Sequence, residues 1–162
     1  MVLKKIISKT GKISSWFSLA LVLLISTDVL LRYVFNFSTA ALYEMEWHLF
    51  AIIFLLASPY TLQKNKHVRV DVFYNNFSKR KKNIVDLIGN IIFLIPFSFI
   101  IFYTSLPFVE DSYSILESSP DPGGLPYRFI IKSIIPIAFF LLMIQGILNA
   151  FKNYNNIKIK KW

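Results

Sequence analysis

Apolar and polar positions in this chain segregate over whole segments rather than over single turns. Long apolar runs cover approximately residues 13–31, 40–62, 84–106 and 129–151, and the stretches between them are short and dense in charge. Each run has about 20 residues, enough for a helix rising ~1.5 Å per residue to cross a hydrocarbon core ~30 Å thick. Inside lipid a backbone has to satisfy its own hydrogen bonds, so each run predicts a helix. The expected fold is an all-α membrane protein: one domain over residues 1–162 with four transmembrane helices.

Charge orients these helices. Of the 18 basic residues, 15 fall on one side of the pattern: Lys4, Lys5, Lys9 and Lys12 before the first span, Lys64–Lys82 between the second and third, and Lys152–Lys161 after the fourth. Arg32, Arg128 and Lys132 fall on the other, beside Glu44, Glu46, Glu110, Asp111, Glu117 and Asp121. Lysine and arginine in short loops are retained in the cytoplasm, so both termini are expected there, in contact with anionic headgroups. The net charge of +9 is therefore a topology signal. A nucleic-acid footprint would gather its cations on one soluble face, and no nucleic-acid partner is expected.

The chain has no cysteine, which removes disulfides, thiolate metal sites and cysteine nucleophiles. Its lysines followed by Trp16–Ser26 mimic a signal peptide, but the apolar run is long and no small-residue cleavage motif follows, so an uncleaved first span is expected. The Asn/Lys/Ile-rich stretch Lys152–Trp162 reads as a solvated or headgroup-bound end.

The second span opens Tyr43-Glu44-Met45-Glu46-Trp47-His48. At 3.6 residues per turn Glu44, Trp47 and His48 share one face, with Glu46 on another. Two readings stay open: a hydrated helix start with Trp47 in the interfacial aromatic belt, or a grip on another chain or an outer-side ligand. Asp28 and Arg32, four apart, can pair within the first helix, and Arg32 can also meet Glu44 or Glu46 as a clamp between the first two helices.

Between the second and third spans, Val70, Phe73, Tyr74 and Phe77 recur at helical spacing before Lys79–Lys82. That predicts a short interfacial amphipathic helix carrying the motif His67, Arg69 and Asp71, which either anchors on the membrane, organises a turn or meets a partner. The outer loop Ser118–Arg128 holds three prolines and two glycines, with Asp121, Gly123, Gly124, Tyr127 and Arg128 as its candidate functional residues. It predicts a rigid lid entering the fourth helix at Tyr127. A phosphate cradle is rejected there, because no strand–loop–helix context or Lys-Ser/Thr accompanies Gly123-Gly124.

No nucleophile–base pair, metal-ligand cluster or carboxylate dyad assembles from these residues, so no enzyme and no cofactor are expected in this chain. His48 and His67 stand roughly 28 Å apart along a helix, too far to share one haem. The span centres are Leu, Ile, Phe and Val, without the paired interrupted helices of a self-sufficient secondary transporter. An independent small channel or exporter, and the membrane anchor of a redox complex, are the alternatives to an accessory subunit.

Three blocks carry a resemblance across the whole chain: Glu44-x-Glu46-Trp47-His48-Leu49-Phe50, His67-Val68-Arg69-Val70-Asp71-Val72-Phe73-Tyr74, and Ser119-Pro120-Asp121-Pro122-Gly123-Gly124-Leu125-Pro126-Tyr127-Arg128. Together with Leu31-Arg32-Tyr33-Val34-Phe35-Asn36 they resemble the small, DctQ-like membrane subunit of tripartite ATP-independent periplasmic (TRAP) transporters. The resemblance implies a bacterial inner-membrane complex with a large permease subunit and a periplasmic substrate-binding protein. It implies sodium coupling in the large subunit, an organic acid as substrate, and a scaffolding role for this chain, with no catalytic or metal residues of its own.

Overall fold

The computed structural model describes residues 2–65, 74 and 76–159. The motif His67, Arg69 and Asp71, and most of the expected interfacial helix around it, lie outside the described residues. Four helices are long and apolar enough to span a membrane: α1 (Val2–Val34), α2 (Ala40–Gln63), α3 (Lys79–Ser114) and α4 (Phe129–Ile159). The described residues contain no strand.

The helices overrun the apolar segments. Charged residues at a helix end leave the lipid but keep their helical hydrogen bonds, so polarity marks the edge of the span and not the end of the helix. Thus α1 begins eleven residues before residue 13, through Lys4, Lys5, Lys9 and Lys12, and α4 runs on through Lys152 and Lys158. The stretch expected as a solvated end is helical up to Ile159.

Local chemistry sets several boundaries. After α1, Asn36 takes a left-handed conformation (φ 50°), and the Phe37 N–H reaches back to the Leu31 carbonyl at 3.0 Å. Thr39 then caps α2, its hydroxyl accepting from the Leu42 N–H at 3.3 Å. Within α3, Gly89–Leu94 is wound as a π-helix, with the Ile95 N–H bonded to the Asn90 carbonyl. Pro96 follows directly: it has no N–H to offer and its ring crowds the carbonyl four residues back, which the wider turn relieves. The Asn90 side chain donates to the Asp86 carbonyl at 2.7 Å beside this turn.

The helices form a row in the order α1, α2, α4, α3. Helix α2 packs on α1 and on α4, α3 packs on α4, and α2 and α3 flank α4 without forming a substantial contact with each other. Accordingly 33% of α4's apolar window is buried inside the chain, against 6% in each of the other three. The buried stripe of α4 runs through Pro136, Ala138, Leu142, Gln145, Gly146, Ala150 and Asn153. On that stripe Gln145 donates to Asn149 Oδ1 at 2.8 Å, and Asn149 reaches the Leu62 carbonyl of α2 at 3.5 Å. Helices α1 and α2 cross closely at Gly11, where a Cβ would lie 2.2 Å from Tyr60 Cγ, and the Gln63 amide donates to the Lys4 carbonyl at 2.9 Å. These contacts gather the start of α1, the end of α2 and the end of α4 at one basic end. The 35–39 turn and the 115–128 loop lie at the acidic end.

Candidate functional site

The acidic end is built around Glu44, one turn into α2. Its residue is only 3% exposed, and both carboxylate oxygens are engaged by the loop between α3 and α4. The Ser119 hydroxyl donates to Oε1 at 2.5 Å, and the Leu125 backbone N–H donates to Oε2 at 2.6 Å. A carboxylate accepting from a backbone N–H and a hydroxyl is a charge-assisted arrangement, and its two ends fix the loop in two places. Arg128 closes the other flank, its guanidinium 5.7 Å from the Trp47 ring centre.

The loop is shaped to reach that carboxylate. Ser119 N–H bonds to the Leu125 carbonyl at 3.0 Å, and Gly124 N–H bonds to the Asp121 carbonyl at 3.0 Å. Between the latter pair stand Pro122 and Gly123, the glycine at φ 75°, the residue types that a type II turn favours at its two central positions. Gly124 is constrained by closeness instead: a Cβ there would lie 2.4 Å from Ser119 Oγ and 2.9 Å from Glu44 Oε2. The Ser119 hydroxyl also accepts from the Asp121 N–H at 3.1 Å, so one side chain serves both the turn and the carboxylate. Tyr127, at φ 60° and half exposed, sets its ring 6.1 Å from Phe129 where α4 begins.

A second pair ties the loop to α4. Lys132 donates to Glu117, and the Arg128 N–H bonds to the Glu117 carbonyl at 2.8 Å. The Lys132 hydrogen bond holds the Glu117 carboxyl below its ordinary value. Lys132 also lies 4.2 Å from the centre of the Phe108 ring.

The candidate residues thus divide. Glu44, Trp47, Gly124 and Arg128 come together, with Gly123 shaping the turn and Asp121 exposed at its edge. Arg32 does not join them: it pairs with Asp28 of its own helix, and no ion pair or hydrogen bond links it to Glu44 or Glu46. The expected clamp between the first two helices is replaced by one from α2 to the α3–α4 loop. His48 is packed against Trp47, ring centres 3.9 Å apart, with a buried Nε2 that has no hydrogen-bond partner. Glu46 Oε1 is likewise shielded and without a hydrogen-bond partner. Sequence reasoning did not single out Ser119, Leu125, Glu117 or Lys132 as partners. The only advance signal was that the stray cations and the acids share one side of the charge pattern.

Four spanning helices in an open row, with a polar clamp at one end and broad apolar flanks, define a multi-pass membrane protein whose polar groups organise structure. The chain matches the family described as "Tripartite ATP-independent periplasmic transporters, DctQ component" over residues 21–155. It belongs to that family, the small component of TRAP transporters, which is a family of transporter components and not of enzymes. A search of curated proteins finds no match.

Proposed function

We propose that this chain is the scaffold subunit of a sodium-coupled TRAP importer of organic acids. In this reading it holds the large permease subunit in the inner membrane with both termini cytoplasmic. Its outer clamp forms part of the surface on which the periplasmic binding protein docks. The observation that carries the reading is the open row of helices, whose apolar faces one chain leaves uncovered. Val22, Leu23, Phe50 and Ile100 are each more than half exposed, whereas Gln145 and Asn149 of the span interior are engaged within the row. A chain built this way offers apolar area to a neighbour and lacks the mid-membrane ionisable residues of a coupled ion site.

The test is purification of the tagged chain in mild detergent, followed by uptake in proteoliposomes. The expected result is co-elution of a multi-span permease and sodium-gradient-driven uptake that needs permease, binding protein and this chain together. Uptake by this chain alone would support the channel or exporter reading, and co-elution of redox subunits would support the anchor reading.

A further inference from the structure

Because α2 and α3 flank α4 without closing on each other, a trough of about 870 Å³ opens between them with α4 as its floor. Its walls are apolar: Leu55 from α2, Phe93 and Phe97 from α3, and Phe139 and Leu142 from α4. Towards the basic end of the row the lining changes character. A second cavity of about 390 Å³ shares Asn65, Tyr74, Asp86, Lys152 and Asn153 with the trough and adds Lys79 and Lys82. Among the described residues, Lys79, Lys82 and Lys152 line this mouth beside the carboxylate of Asp86, which accepts from the Tyr74 hydroxyl at 2.8 Å. Lys82 lies 5.2 Å from the Tyr74 ring centre, at the same mouth.

We propose that this trough and its mouth form a binding site for one anionic phospholipid, acyl chains along the phenylalanines and phosphate at Lys79, Lys82 and Lys152. The pairing of a slender apolar channel with a basic polar end is that of an amphiphile, and basic pockets between transmembrane helices recognise anionic headgroups in this way. The site differs from the diffuse attraction of a basic loop to a charged surface, because it predicts a fixed stoichiometry. It rests on the chain spanning a membrane and not on which transporter it serves.

Native mass spectrometry of the full-length chain in detergent tests this, with phosphatidylglycerol and phosphatidylethanolamine added in equal amounts. One phosphatidylglycerol per chain should survive activation that strips phosphatidylethanolamine. Replacing Lys79, Lys82 and Lys152 with glutamine should erase the preference, with a loss of roughly fivefold per lysine. Gly89 lines the trough and a Cβ there meets nothing within 4 Å, so Gly89→Phe projects a ring from an open position into the trough. That variant should lose the retained lipid while its helical circular dichroism is unchanged. Equal retention of both lipids by the unaltered chain would overturn the proposal. So would a Gly89→Phe chain that keeps its phosphatidylglycerol; if that chain also fails to co-purify the large subunit from membranes, the trough is a protein contact.

Discussion

Glu44 shows how one side chain can organise an end of a membrane protein. Its carboxylate replaces two water contacts with a hydroxyl and a backbone N–H contributed from 75 and 81 residues away. Glu44→Ala should leave Leu125 N–H and Ser119 Oγ without their acceptor, and amides of the 117–128 loop should exchange with solvent roughly tenfold faster. Gly124→Ala attacks the same contact from the other side, since its Cβ overlaps Ser119 Oγ, and overpacking of this kind costs on the order of 1–3 kcal/mol. Gly123→Ala faces open space and should suffer only the left-handed strain, about 1–2 kcal/mol. Loop exchange measured by mass spectrometry that ranks Gly123→Ala as the more damaging would contradict this geometry.

The other loop tether carries a pH dependence. Lys132 favours the ionised form of Glu117 and so lowers its pKa in the fold. Stability from this pair is then fully present above the ordinary glutamate value of about 4.3, and it is lost as pH falls through the depressed value. With Trp16 and Trp162 replaced by phenylalanine, the emission of Trp47 should report the loop through its contact with Arg128. A transition on acidification whose amplitude Glu117→Gln reduces is the expected outcome. A profile unaltered by that substitution would show that the pair does not hold the loop.

At the scale of elements, the helices themselves were legible because apolar length is a local property: residues 40–62 and 129–151 fall within α2 and α4, which begin at Ala40 and Phe129 as expected. Helix ends were harder to read where charged residues continued a helix past the lipid, as at Lys4–Lys12 and Lys152–Lys158. The pairing of Glu44 with Ser119 and Leu125 was not legible, because no periodicity connects positions so far apart in the chain. Arg32 shows the converse: its i, i+4 partner Asp28 was readable, and that local contact is the one the fold uses. Between elements, polar seams matter more than the apolar surface suggests. Asn149 accepts the Gln145 amide within the α2–α4 contact, and Gln145 is 2% exposed. Asn149→Leu should therefore strand a buried amide and cost about 1–3 kcal/mol, seen as a lowered thermal midpoint in detergent. Adding Gln145→Leu should recover much of that loss, because replacing both partners leaves nothing unpaired. A double variant as unstable as the sum of the two singles would assign the effect to packing volume rather than to the hydrogen bond.

At the scale of the whole molecule, the row of helices and the charge pattern make a joint statement about orientation. The contacts Gln63–Lys4 and Asn149–Leu62 place the basic ends of three helices together, while the Glu44 clamp gathers the acidic loop at the opposite end. Four helices long and apolar enough to span put the two ends on opposite faces of a membrane, and the excess of lysine and arginine is the ground for proposing the basic end as the cytoplasmic one. Because the chain has no cysteine, single thiols can test this without background. Ser118 and Asn155 are both exposed, the first beside the clamp and the second near the end of α4, and neither makes a side-chain hydrogen bond in the site described above. In intact cells a membrane-impermeant maleimide should label Ser118→Cys and not Asn155→Cys, and permeabilisation should expose both. Labelling of Asn155→Cys alone would invert the orientation. Labelling of both in intact cells would mean that an even number of crossings separates them, which the single helix α4 between them cannot accommodate.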